Sequence, residues 1–361
     1  MGRNSIHWPE GLMQKLAQLV SIVFLCLLCQ SAFSNNATLR AGGPPGYHVT
    51  KKTVLGGEGG WDYLTVDSKA RRVYISHGTH VVVVDADTGT VVGDIPRTNG
   101  VHGIAIVTDA GTGFTSNGRE NAVTVFDLKT LKALANVPVG RNPDAIIYDP
   151  FSKRVFAFNG ASHDTTAIDV KTNSVVGTIA LGGKPEFAVS DERGHIYVNI
   201  EDKNEIVQFD PMKLTVNHHW SLAPAEEPSG LALDRKHRRL FAVCANKLMA
   251  VVNADNGKLI TTLPIGAGTD AAAFDPETGL AFSSNGEGTL TVVHEDSPEK
   301  FTVVENVPTQ ARARTMALDL KTHQLFLVTA EFGTAPAATA QQPRPRPPMM
   351  PGTFTLLVLS R

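Results

Sequence analysis

The sequence predicts an all-β fold: a seven-bladed β-propeller with four-stranded blades, its ring closed by an N-terminal strand that completes the last blade. Two recurrences carry this reading. The first is a short apolar strand ending in Asp, present seven times: Tyr63 to Asp67, Ile104 to Asp109, Ala145 to Asp149, Phe187 to Asp191, Gly230 to Asp234, Ala271 to Asp275 and Thr315 to Asp319. The steps from Asp to Asp are 42, 40, 42, 43, 41 and 44 residues. The second is an apolar run about six residues later with an aromatic near its start, as in Val73-Tyr-Ile-Ser-His77, Val155-Phe-Ala-Phe-Asn159 and Leu240-Phe-Ala-Val-Cys244. A repeat of this length built from short β-rich runs and turn residues is the pattern of a propeller blade.

The remaining elements follow from the same frame. A third run ends in another turn residue, as in Val81 to Asp85, Val123 to Asp127 and Ile206 to Asp210. A fourth, such as Thr90 to Ile95 or Ser174 to Ala180, leads to Gly or Pro before the next unit. Asp suits these turns because its carboxylate accepts from the next backbone N–H groups, so the Asp67 and Asp85 columns read as structural. The last unit ends at its third run, Gly352 to Arg361. Its missing fourth strand is supplied by Thr50-Lys-Lys-Thr-Val-Leu-Gly-Gly57, which resembles Val175-Val-Gly-Thr-Ile-Ala-Leu-Gly-Gly183. Closing the ring removes exposed sheet edges. The propeller therefore spans 47–361, interrupted by a Pro-rich insertion, 334–351, whose composition favours an extended segment. It is placed either as a plain loop or as a lid bringing Arg344 and Arg346 to the channel mouth.

The chain has 361 residues, is 42% hydrophobic and carries a formal charge of −2. That balance does not mark a nucleic-acid binder. The apolar run from Leu19 to Cys29 has the length of a signal-peptide core, and Ala32-Phe33-Ser34 offers small residues for cleavage before Asn35. Residues 1–34 are read as a signal peptide, starting at Met1 or Met13, with an uncleaved anchor as the alternative. Residues 35–46 are a flexible leader. Leu25 and Leu28 stand before Cys26 and Cys29 where a lipidation site has a small residue. Cleavage removes Arg3, Lys15 and Glu10, leaving a charge of −3 and Cys244 alone, so the mature chain has no internal disulfide. The expected location is periplasmic or secreted, and the expected state a monomer.

The units resemble the YVTN-repeat family, the YncE-like propellers of bacteria. The matching pieces are Ile196-Tyr-Val-Asn199, Asn142-Pro-Asp-Ala145, Lys184-Pro-Glu-Phe187 and Val125-Phe-Asp127 through Thr130. The resemblance implies an exported propeller and, through one branch of the family, DNA binding. It carries over no catalytic residue.

Candidate site residues follow from propeller geometry, because the loop entering the first strand lies at one mouth of the channel. That column holds Asp62, Gly103 with His102 beside it, Asp144, Glu186, Ser229, Asp270 and Arg314. Asp62, His102, Asp144, Glu186, Asp270 and Arg314 are the candidates for ligand binding. Convergent carboxylates suit a divalent cation or a cationic ligand; a solvated ring of loop acids is the alternative. No cofactor is required by the sequence. At the opposite face five of seven turns are basic, among them Lys69-Ala-Arg-Arg72 and Arg235-Lys-His-Arg-Arg239. Such a face suits an anionic polymer or DNA, although stacking aromatics are missing from it. Three functions follow: a binding or scaffold protein with an unknown protein or small-ligand partner, a metal-dependent lactonase- or lyase-like enzyme, or a DNA-binding propeller. No nucleophile signature favours the enzyme.

Overall fold

The computed structural model describes residues 1–2, 46–337, 339 and 345–361. The expected signal peptide and leader lie outside the described residues, apart from Met1, Gly2 and Gly46. Gly46–Arg361 form one compact unit of seven four-stranded antiparallel sheets. Blade 1 runs Trp61–Asp67, Arg72–His77, His80–Asp85 and Val91–Pro96. Blades 2 to 6 repeat it from Val101, Pro143, Pro185, Pro228 and Thr269. The first strands of successive blades touch in an unbroken ring, and the last touches the first.

Blade 7 is composite, as the sequence predicts. Met316–Asp319, Gln324–Thr329 and Thr355–Ser360 are joined at the outer edge by His48–Val54, which pairs antiparallel with Thr355–Ser360. Tyr47 anchors the entry to this strand. It is 3% exposed, donates its hydroxyl to the His323 carbonyl at 3.0 Å and packs edge-on against Phe282. The Pro-rich insertion leaves and re-enters between Gln324–Thr329 and Thr355–Ser360. Its base is held by a Phe332–Met349 bridge and by Gly333 N donating to the Pro348 carbonyl. Arg344 lies outside the described residues. Arg346 is exposed and, among the described residues, forms no ion pair with a mouth carboxylate.

The core lies between blades rather than inside one. Second and third strands are buried on both faces, which explains their continuous apolar runs, whereas outer strands such as Val91–Pro96 are mostly exposed. Tyr74, Val81 and Val83 of blade 1 pack on Ile104 and Phe126 of blade 2. Where the first strands of neighbouring blades approach closely, some positions admit only glycine. A Cβ on Gly230 would lie 2.5 Å from Ala272 N in the next blade.

The turn carboxylates act as expected. Asp67 accepts from Lys69 N and Ala70 N, and Asp85 from Asp87 N and Thr88 N. The basic turns do something the sequence reading did not foresee: they join neighbouring blades. Arg71 of blade 1 bonds the buried Asp319 of blade 7, and Arg238 of blade 5 bonds Asp191 of blade 4 at 2.9 Å. Arg72 donates to the Leu128 carbonyl of blade 2, Arg154 to the Pro211 carbonyl of blade 4 and Arg239 to the Pro298 carbonyl of blade 6. Much of the basic stripe is therefore inter-blade bonding, leaving exposed Lys69, Lys153, Arg193, Lys236 and Lys321 as its outward charge.

Candidate functional site: an acidic channel mouth

The candidate residues do not precede the first strand; they lie within it in blades 1 to 6, at a bulge. In blade 1, Asp62 and Tyr63 together face the single Ser76, between the pairs Trp61–His77 and Leu64–Ile75. The same irregularity recurs at the start of the first strand in blades 2 to 6. A bulge bends the strand and re-aims one side chain, here toward the channel mouth. Ser76 Oγ accepts from Asp62 N at 2.8 Å, and Ser116 Oγ from Gly103 N at 2.8 Å while bonding the Asp144 carbonyl. The register settles blade 2: His102, not Gly103, is the counterpart of Asp62. Arg314 stands two residues before the shorter first strand of blade 7.

These side chains form a chain of charges around the mouth. Arg314 bonds Asp270 and reaches to 3.9 Å from Asp62. Asp62 lies 2.7 Å from His102 Nδ1, which lies 3.7 Å from Asp144 Oδ1. Lys184 bonds Glu186 at 2.7 Å and also Glu201. Together they surround a cavity of about 420 Å³ whose lining carries six carboxylates, Asp62, Asp144, Glu186, Glu201, Glu227 and Asp270, against the two cations Lys184 and Arg314. His102 stands beside this lining, bonded to Asp62. One carboxylate oxygen, Asp144 Oδ1, is buried without a hydrogen-bond partner.

The floor is aromatic. Tyr63 of blade 1 meets Phe187 of blade 4 with ring centroids 5.4 Å apart. Blades 1 and 4 are not neighbours, so this contact crosses the axis. Burial and the surrounding carboxylates hold the Tyr63 phenol well above its ordinary pKa, so it remains a hydrogen-bond donor.

Crowded acids in a narrow pore hold protons. Burial, then the field of Asp144, raises Glu186 to about 8. Burial, with the Asp62 and Asp144 charges outweighed only in part by Arg314, raises Asp270 to about 7. Burial and Asp62 raise Asp144 to about 6. Burial alone would lower His102, but its bond to Asp62 and the fields of Asp144 and Glu186 raise it to about 9. At neutral pH His102 is thus an imidazolium between two acids, and the mouth is incompletely neutralised by its own cations.

Five of the six predicted residues, Asp62, Asp144, Glu186, Asp270 and Arg314, line one cavity, and His102 adjoins it. The blade 1 histidines, His77 and His80, do not join them. His77 is 1% exposed, stacks on Phe354 at 4.2 Å, and is pushed down to about 4 by burial and His80. Asn117, Asn159 and Asn285 are buried and bond threonines of the adjoining strand. Tyr63, Lys184 and Glu227 were missed. Lys184 was legible, since it stands just ahead of the blade 4 strand, two residues before Glu186. Tyr63 was not, because its partner lies across the ring.

No family model matches this chain, and no curated protein matches it. Among solved structures, hydrazine synthase of Kuenenia stuttgartiensis aligns with a TM-score of 0.66 at 16% identity, covering 76% of this chain and 94% of that one. A chain of the mitotic checkpoint complex aligns with a TM-score of 0.70 at 14% identity over 91% and 96%. The WD40 repeats of RRP9 align at 0.71 and 9% identity over 87% and 97%. At such identities the likeness is one of fold: this chain is a seven-bladed propeller.

Proposed function

We propose that this protein is an exported binding propeller of the YncE-like type whose acidic channel mouth receives a cationic group, such as the ammonium of a linear amine or a basic side chain of a partner protein. The observation that carries the reading is the charge imbalance of the cavity: six carboxylates face Lys184, Arg314 and the adjoining His102 imidazolium, and three of the acids are raised toward neutrality. An incoming cation replaces those protons. The Tyr63 hydroxyl and Ser229 complete a lining suited to N–H donors and acceptors. A metal reading has one observation behind it, since ligand atoms of Asp62, His102 and Asp144 lie within 4.8 Å of one another. A protonated His102 opposes it, because an imidazolium offers no lone pair.

Export rests on the apolar leader and is tested by N-terminal sequencing of the protein recovered from the periplasm or medium; Asn35 as the first residue is expected. Binding at the mouth is tested by thermal shift with 1,4-diaminobutane, with Ca²⁺ and with EDTA. The diamine raises Tm, and Asp144→Ala or Glu186→Ala removes the rise. A rise with Ca²⁺ alone, lost in the same variants, favours the metal reading and reopens the enzyme. DNA binding on the basic face predicts an affinity that falls steeply with salt. The inter-blade engagement of Arg71, Arg72, Arg154, Arg238 and Arg239 weighs against it.

A further inference from the structure

At the face opposite the mouth, blades 1 and 5 carry an arginine clasp that blade 6 lacks at the same position. In blade 1 the Arg71 carbonyl accepts from Ala86 N, and in blade 5 the Arg238 carbonyl accepts from Ala254 N. In each, the arginine side chain reaches the turn carboxylate of the preceding blade, Asp319 or Asp191. In blade 6 the same backbone bond runs from Glu295 N to the Gly279 carbonyl. The register thus puts Gly279 where the arginine stands and Glu295 where the alanine stands. Compared with blades 1 and 5, this position beside Asp234 lacks a cation and gains an anion, while Arg239 joins the same two blades further out, at Pro298 and Glu299.

The result is a buried pair of acids. Asp234 is 2% exposed, and the Glu295 side chain is also 2% exposed. His237 Nδ1 sits between them, 2.8 Å from Asp234 Oδ2 and 2.9 Å from Glu295 Oε1. Glu295 Oε2 is buried with no hydrogen-bond partner. Asp234 accepts from the backbone N–H groups of Lys236 and His237, but among the described residues no Lys or Arg side chain bonds either carboxylate. The third and fourth strands of blade 6, Thr289–Ser297 and Lys300–Pro308, are nine residues long, and this extended hairpin brings Glu295 to the blade 5 turn.

We propose that Asp234, His237 and Glu295 bind a divalent transition-metal ion, Zn²⁺ or Mn²⁺, that clasps blade 5 to blade 6, where the junctions of blades 7 and 1 and of blades 4 and 5 set an arginine on a buried turn carboxylate. One imidazole and two carboxylates suit these ions. The imidazole Nδ1 lies 2.8 Å from one carboxylate and 2.9 Å from the other, which gathers the three ligand atoms in one place. His237 is one-third exposed, which leaves room for water at a further position. The metal supplies the charge that Gly279 does not, and it occupies the orphaned carboxylate oxygen.

The test uses the full chain, incubated with Zn²⁺ or Mn²⁺, desalted and assayed for bound metal. About one equivalent is expected in the wild type and in Asp144→Asn, which alters only the mouth. His237→Ala and Glu295→Gln are expected to lose it, and EDTA to lower Tm only in the wild type and Asp144→Asn. The double variant Gly279→Arg with Glu295→Ala rebuilds the arginine clasp. Its backbone permits this: Gly279 has φ +67°, and Arg71 and Arg238 have φ 55° and 60°. It is expected to fold with a Tm insensitive to EDTA and to hold no metal. A wild type that retains neither ion, or a Glu295→Gln variant that retains as much as the wild type, overturns the proposal.

Discussion

The clasp between Arg71 and Asp319 is where ring closure is most exposed to a single substitution. Asp319 belongs to blade 7 and its side chain is fully buried, while Arg71 of blade 1 is 16% exposed. Burial would raise the carboxyl, but bonds from Arg71, Ser68 and Thr322 hold it at about 2. Removing one partner of a buried ion pair costs roughly 3–5 kcal/mol. Asp319 would keep Ser68, Thr322 and Lys321 N, and Arg71 is partly solvated, so Arg71→Ala is expected to cost about 2–3 kcal/mol. Urea denaturation followed by tryptophan fluorescence measures it. The pH dependence has a definite sign. A carboxyl whose folded pKa is depressed stabilises above its unfolded pKa and loses that contribution as pH falls through the folded one. The gap between wild type and Arg71→Ala should therefore shrink as pH drops from about 4 to about 2. In an Asp319→Asn background the arginine should matter little. A loss below about 0.5 kcal/mol at pH 7, or a gap unchanged in acid, would refute the clasp.

Deleting 47–57 removes the strand His48–Val54 and should lower Tm far more than deleting 35–46; equal melting temperatures would contradict the closure. Gly230→Ala forces the first strands of blades 5 and 6 apart and should cost about 1–3 kcal/mol, read from the denaturation midpoint. Tm should decline between about pH 6 and pH 9, because Glu186, Asp270 and His102 have folded pKa values raised above their unfolded ones and hold protons more tightly when folded. Glu186→Gln should flatten that decline, and an unchanged slope would remove Glu186 from the account.

Most of the fold was legible because the propeller repeats one solution seven times. The Asp column is visible since six of the seven blades use the same carboxylate to hold the same turn; in blade 2 the counterpart of Asp67 is Val107, and the expected Asp109 lies exposed in a short 3-10 turn past the strand. The closing strand was legible because it is a displaced copy of an outer strand. The mouth acids were found from their column, but their placement within the strand was not, because a bulge leaves no residue signature. Single contacts between blades were out of reach. Tyr63 against Phe187 depends on which blades face each other across the axis. The exchange of arginine and alanine for Gly279 and Glu295 appears only once backbone bonds fix the register. The basic turns misled for the same reason: charge is visible in sequence, but its engagement with the next blade is not.

The most direct test of the central claim is a calorimetric titration of the protein with 1,4-diaminobutane at pH 6, 7 and 8, in buffers of different ionisation heat. If the cation replaces protons on Asp144, Glu186 and Asp270, the observed heat varies with the buffer, and affinity rises with pH by up to about tenfold per unit for each proton released. Glu186→Gln should reduce both effects. Binding that is absent, or that is indifferent to buffer and pH, would contradict a cation-receiving mouth.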